Sequence, residues 1–247
     1  MNLRRAAALC GIVFCLPALA ADPAHPDLSG FWMPVRERFQ PDPELARRVP
    51  AGTVDMQDTG AAEFGPMEFG GLKLKPAALE AARKWDPRQE MTVSNACKAP
   101  SIVYALQGPF PIEIFQGRDL IVMRLEYFDM ARVFLMDGRA PWPADAPHTK
   151  TGFSLGHWEG DTLVVVTTHL KAATVTNNGL EHSDGIKVTE RYRISKDGRT
   201  LMASQEYDDP AVLENRGVRY IAWRKTPGDH VHAYDCDPSF AENYAAP

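Results

Sequence analysis

Residues 185–194 read GIKVTERYRI, the alternation of a strand with one apolar face. Ile186, Val188, Tyr192 and Ile194 share that face, and Lys187, Thr189, Arg191 and Arg193 share the other. Glu190 breaks the rule by standing among the apolar residues. An unpaired carboxylate is costly there, so it needs a partner, a proton or a cavity. Two readings stay open: a buried ion pair, with Arg132 or Arg219 as partner, and a general acid or base with a raised pKa.

The same period recurs on either side. IEIFQ (112–116), DLIVMRLEYF (119–128), ARVFLMDGR (131–139), DTLVVVTTHL (161–170), TLMASQEYDD (200–209), VRYIAWRKT (218–226) and HVHAYDC (230–236) are strand candidates. Gln116-Gly117, Asp197-Gly198 and Pro227-Gly228-Asp229 mark turns between them. With LSGFWMPV (28–35) these segments predict a mainly β fold, an antiparallel meander closing into a barrel of the lipocalin (calycin) type. Gly30-Phe31-Trp32 resembles the G-x-W that opens lipocalin barrels, whose Trp plugs one end. Between Pro34 and Pro111 the chain is rich in Pro and Gly and reads as long ordered loop. One short helix is expected there, in KPAALEAARKWDP (75–87), with Pro76 at its start and Pro87 as its stop.

The first residues address the chain. Arg4 and Arg5 precede an apolar run too short to span a bilayer, and Ala18-Leu19-Ala20 is a small-x-small cleavage site. Residues 1–20 are therefore expected to be a signal peptide, and residues 21–247 a single periplasmic barrel domain. The net charge of −5 becomes more negative when the two arginines leave, which argues against nucleic acid and anionic membrane as partners. Of the four cysteines only Cys97 and Cys236 remain, and export predicts a disulfide between them.

GFSLG (152–156) matches a G-x-S-x-G nucleophile elbow, but turn and strand follow Ser154 where that motif needs a helix. His230-x-His232 lacks a third ligand at zinc-site spacing, so no metal site and no cofactor is expected. Arg132 and Phe134 share a strand face, and the turn at 127–131 is expected to bring Glu126 near Arg132. A guanidinium inside a barrel can fork onto a substrate carboxylate, whereas the same pair on the outside is only a solvated ion pair. His182 precedes the Glu190 strand and is placed to reach the barrel mouth; Tyr104 and Tyr192 offer phenolic donors.

RVFLMDGR, GFSLGHWEGDTLVVVTTHL, HSDGIKVTERYRI and YDDP together resemble a family of exported bacterial proteins marked by a G-H-S-x-G-x-W-E-G-D-T-L-V-V segment and an H-S-x-x-x-x-V-x-E-R strand. Glu126, Arg132, Asp137, Arg139, Ser154, Trp158, Glu159, Asp161, His182, Ser183, Glu190 and Arg191 match that pattern. Phe153 stands where relatives carry His, and Val166 where many carry an acid. The resemblance implies a cofactor-independent lyase of lignin-derived aromatic dimers, chiefly a decarboxylase of phenylcoumaran-type acids; the same residues also suit a retro-aldol loss of formaldehyde with Glu190 as base. It would use Glu190, Arg132, His182 and Glu126 as catalytic groups, with Tyr104, Phe153, Tyr192 and Phe134 against the hydrophobic aromatic substrate. The rival expectation is a lipocalin-like periplasmic carrier that binds such a molecule unchanged. Neither reading fixes the oligomeric state.

Overall fold

The computed structural model describes residues 24–57 and 63–244, so the expected signal peptide lies outside the described residues. The strands run β1 (Gly30–Pro34), β2 (Val54–Asp55), β3 (Ile112–Gln116), β4 (Leu120–Leu125), β5 (Met130–Leu135), β6 (Phe153–Glu159), β7 (Thr162–Thr168), β8 (Ala173–Thr176), β9 (Leu180–His182), β10 (Lys187–Ile194), β11 (Thr200–Asp208) and β12 (Gly217–Lys225). Nine of them close a barrel in the order β1-β3-β4-β5-β6-β7-β10-β11-β12, and β1 pairs back onto β12. The mainly β barrel read from the alternation is the fold.

Three details differ from the expectation. HVHAYDC forms no ladder; residues 230–237 run as an extended strap outside the barrel. Its place among the nine is taken by β6, from the stretch that reads as turn because of Gly152, Gly156 and Gly160. These glycines answer local needs. Gly152 has φ +66° and lies where an added Cβ would sit 2.6 Å from the Thr168 carbonyl oxygen. Finally, β5 and β6 pair in parallel, Phe134 opposite Ser154. A parallel step cannot be made by a hairpin, and the Pro-rich crossover at 136–152 provides the return.

The helices lie outside the barrel wall: α1 (Pro43–Arg48), α2 (Pro76–Lys84), α3 (Pro87–Glu90) and α4 (Ile102–Ala105). Helix α2 is the one read from the sequence, with Pro76 in its first turn; it ends at Lys84 as Trp85 turns extended. The others are short, six residues in α1 and four each in α3 and α4. Asp42 and Asp86 cap α1 and α3 by accepting backbone N–H bonds.

One end of the barrel is filled by apolar side chains, with Trp32, Trp223, Leu201 and Met123 at or near zero exposure. The Trp32 indole donates to the Leu28 carbonyl at 3.0 Å, and the Lys225 ammonium lies 5.1 Å from its ring. At the other end α4 and the β8–β9 hairpin cover the mouth. Register then fixes what lies beneath them. Glu190 sits opposite Val165 and Gln205, and Gln205 opposite Arg219.

Candidate functional site

A polar layer crosses the barrel under its covered mouth. Arg132 on β5 grips Glu190 on β10 with both terminal nitrogens, Nη1 to Oε1 at 2.9 Å and Nη2 to Oε2 at 2.7 Å. Both side chains are fully buried. Nη2 also donates to Thr167 Oγ1 at 3.1 Å and lies 3.4 Å from Ser154 Oγ. Gln205 donates to Glu190 Oε1 at 2.9 Å, Tyr207 donates to Gln205 at 2.5 Å, and Arg219 donates to the Tyr207 oxygen at 2.9 Å. Arg219 finishes the chain on the carbonyls of Val103 at 3.3 Å and Val175 at 2.7 Å, tying α4 and β8 to the barrel.

Glu190 is therefore a paired carboxylate. Bidentate pairing and an amide donor offset the desolvation that the pair suffers. Burial works against the Arg132 charge, and Glu190 and then Tyr192 together more than offset it, holding the guanidinium pKa above its ordinary value. The guanidinium lies 4.7 Å from the Phe134 ring, and Phe134 and Tyr192 rings are 6.0 Å apart. Burial and then the Glu190 charge push the Tyr192 phenol pKa well up. Four of the residues singled out from the sequence, Arg132, Glu190, Phe134 and Tyr192, thus meet in one place.

The others lie apart. Glu126 turns away from Arg132 and accepts the His232 backbone N–H at 3.0 Å, fastening the C-terminal strap. His182 is buried on β9, with Nε2 2.9 Å from Ser101 Oγ and Nδ1 2.9 Å from the Ser183 carbonyl. The carbonyl accepts only from a protonated Nδ1, so Nε2 accepts the Ser101 hydroxyl. Phe153 stacks on Trp142 at 4.4 Å on the outer side. Tyr104 stands on α4, and its hydroxyl donates to Glu63.

That last contact belongs to a second constellation, outside the polar layer and at the barrel mouth. The other Glu63 oxygen accepts from Asn177 Nδ2 at 3.0 Å. Burial and then Glu63 raise the Tyr104 pKa; Tyr127 raises it further while Arg219 opposes. Tyr127 is pushed up to about 12 by burial, Tyr234 and Glu63. Its ring stacks on Phe110 at 4.5 Å and meets Phe128 at 4.6 Å and Tyr234 at 5.5 Å edge-on. All four rings are partly exposed. The strap that brings Tyr234 here is fixed by its N–H to Asp129 at 3.0 Å and by the Cys97–Cys236 disulfide. Phe128 and Asp129 hold left-handed backbone, φ +55° and +50°, at this rim. Such conformations cost energy and persist where the surroundings impose them.

Sequence reasoning passed over Glu63 and Asn177, because nothing in a loop's composition tells which carboxylate meets which phenol. Gln205 carried a readable signal, being a polar residue in the inward phase of its strand. Among the described residues no group of three or more His, Cys, Asp or Glu is arranged to hold a metal ion. No family model matches the chain, and no curated protein matches it.

Proposed function

We propose that the protein is an exported, cofactor-independent carbon–carbon lyase of a hydrophobic aromatic compound, such as a lignin-derived phenylcoumaran dimer, bound at the barrel mouth. One observation carries this reading: four partly exposed aromatic rings, Phe110, Tyr127, Phe128 and Tyr234, surround a rim that also holds the Glu63–Tyr104 contact. These rings pack on one another yet stay partly exposed, and the edge they leave to solvent is where a flat apolar ligand would stack and exclude water. The reaction suits the groups available. Loss of CO₂ or formaldehyde from such a dimer sends an electron pair into the breaking aryl C–O bond, and the phenoxide formed needs only a proton donor. Export to the periplasm accords with the disulfide.

A carrier is the second reading, favoured by the polar layer itself. Arg132, Glu190, Gln205 and Tyr207 bond mainly to one another inside the barrel and would serve as a ligand scaffold rather than as chemistry. One experiment separates the two. Purified protein is incubated with phenylcoumaran acids and their hydroxymethyl counterparts, and stilbene absorbance, CO₂ and formaldehyde are followed. Product formation supports the lyase, tight binding of unchanged ligand supports the carrier, and neither binding nor product overturns both.

A further inference from the structure

The contact between Glu63 and Tyr104 has an alternative use as a fastener for the chain that leads into α2, and that use is already filled. Asn178, almost fully buried, donates to the Gly65 carbonyl at 2.8 Å and to the Glu68 carbonyl at 2.6 Å. Lys75 N–H to the Val212 carbonyl at 2.9 Å and a bridge between Leu74 and Leu213 hold the loop farther on. Glu63 is exposed, yet each of its oxygens takes one donor, a phenol and an amide. A carboxylate oriented in that way, in hydrogen-bond contact with a half-buried phenol at the edge of an aromatic patch, has the geometry of a proton-transfer couple.

We propose that Glu63 and Tyr104 form the acid–base couple of the barrel mouth, with Tyr104 giving a proton to a departing phenolic oxygen and Glu63 recharging it. The proposal rests on the lyase reading of the mouth. The substrate's aryl C–O bond breaks, its electron pair stays on oxygen, and that oxygen takes the Tyr104 proton. In formaldehyde loss Glu63 first takes the substrate's hydroxyl proton, the C–C pair becomes the new C=C bond, and the proton passes on through Tyr104. In decarboxylation the C–C pair makes the same bond, CO₂ leaves, and Glu63 draws its proton from water. Neither branch consumes an oxidant or a reductant. Burial and the Glu63 carboxylate hold the Tyr104 pKa above its ordinary value, so Tyr104 keeps its proton in the resting mouth and passes it on only as Glu63 replaces it.

The test uses Glu63→Gln and Tyr104→Phe in the full chain, with 4-nitrophenol as a second probe because its two protonation states absorb differently. Each variant is expected to bind aromatic ligand like wild type and to lose roughly 10²–10⁴-fold in turnover. The probe adds a readout that a fastener would not move. A neighbouring carboxylate disfavours phenolate and a phenol donor favours it. Bound 4-nitrophenol should therefore shift its apparent pKa down in Glu63→Gln and up in Tyr104→Phe. Variants that bind the probe with no shift, or turn over substrate like wild type, overturn the couple and leave the mouth as a binding site. Wild-type protein that binds neither dimers nor probe overturns the mouth reading, and the couple with it.

Discussion

At the scale of single residues, Glu190 is tolerable inside the barrel because Arg132 lies against it. Removing one partner leaves the other charge buried without its match, which costs more than removing both. Glu190→Ala should destabilise the fold by about 3–5 kcal/mol, read as a shift in urea midpoint at constant slope. Joint replacement by Arg132→Met and Glu190→Leu should recover most of that loss; a double variant no better than the single would count against the buried pair. Glu190→Gln discriminates roles. If Glu190 scaffolds the mouth, turnover per folded molecule stays within a few-fold of wild type, whereas a rate collapse in a stable variant would restore Glu190 as a proton-transfer group. The anomaly itself was legible, since period two put a carboxylate on an apolar face. Its partner was one of two arginines the sequence offered, and the choice of Arg132 over Arg219, across 58 residues, rests on the strand order, which no local pattern reveals.

At the scale of elements, the alternation marked strands well wherever one face is buried, because burial is what imposes the period. It failed where that cause was absent or masked. In β6 the inward position at 156 is glycine, with Met136 filling the space a side chain would take, so the apolar phase is interrupted. The strap at 230–237 alternates for a different reason: its backbone is held by side chains of Glu126 and Asp129, not by a neighbouring strand. Helix α4 shows how such pieces are fastened. Ser101, just before it, hydrogen bonds to His182, whose pKa burial lowers from 6.5 against the opposing pull of the Ser183 carbonyl, Asp209 and Asp184. A histidine with a depressed folded pKa is protonated first in the unfolded chain, so stability is present above the unfolded value and is lost as pH falls below it. The protein should therefore lose stability from about pH 6.5 downward, on the ordinary His value. His182→Gln should flatten this window at some cost at neutral pH. An unchanged slope in that variant would show that other groups set the acid limb.

At the scale of the whole molecule, the barrel and its mouth are built from different bonds. The barrel is a closed ladder with an apolar end, and β1 completes it by pairing with both β3 and β12. Trp32→Ala should cost about 3–5 kcal/mol, since it empties a site at zero exposure. The mouth instead is tied by side-chain contacts and by a disulfide joining the segment before α4 to the strap, 139 residues apart. Paired Cys97→Ser and Cys236→Ser should cost about 2–5 kcal/mol on the loop-closure account. That loss should not be uniform, because the strap takes no part in the closed ladder, and elements with few buried contacts open first. Hydrogen exchange should rise across residues 91–110 and 229–244 while β10 and β11 keep their protection. If those two strands exchange as fast as the strap, the mouth and the barrel unfold as one unit, and the disulfide secures the whole fold rather than its rim.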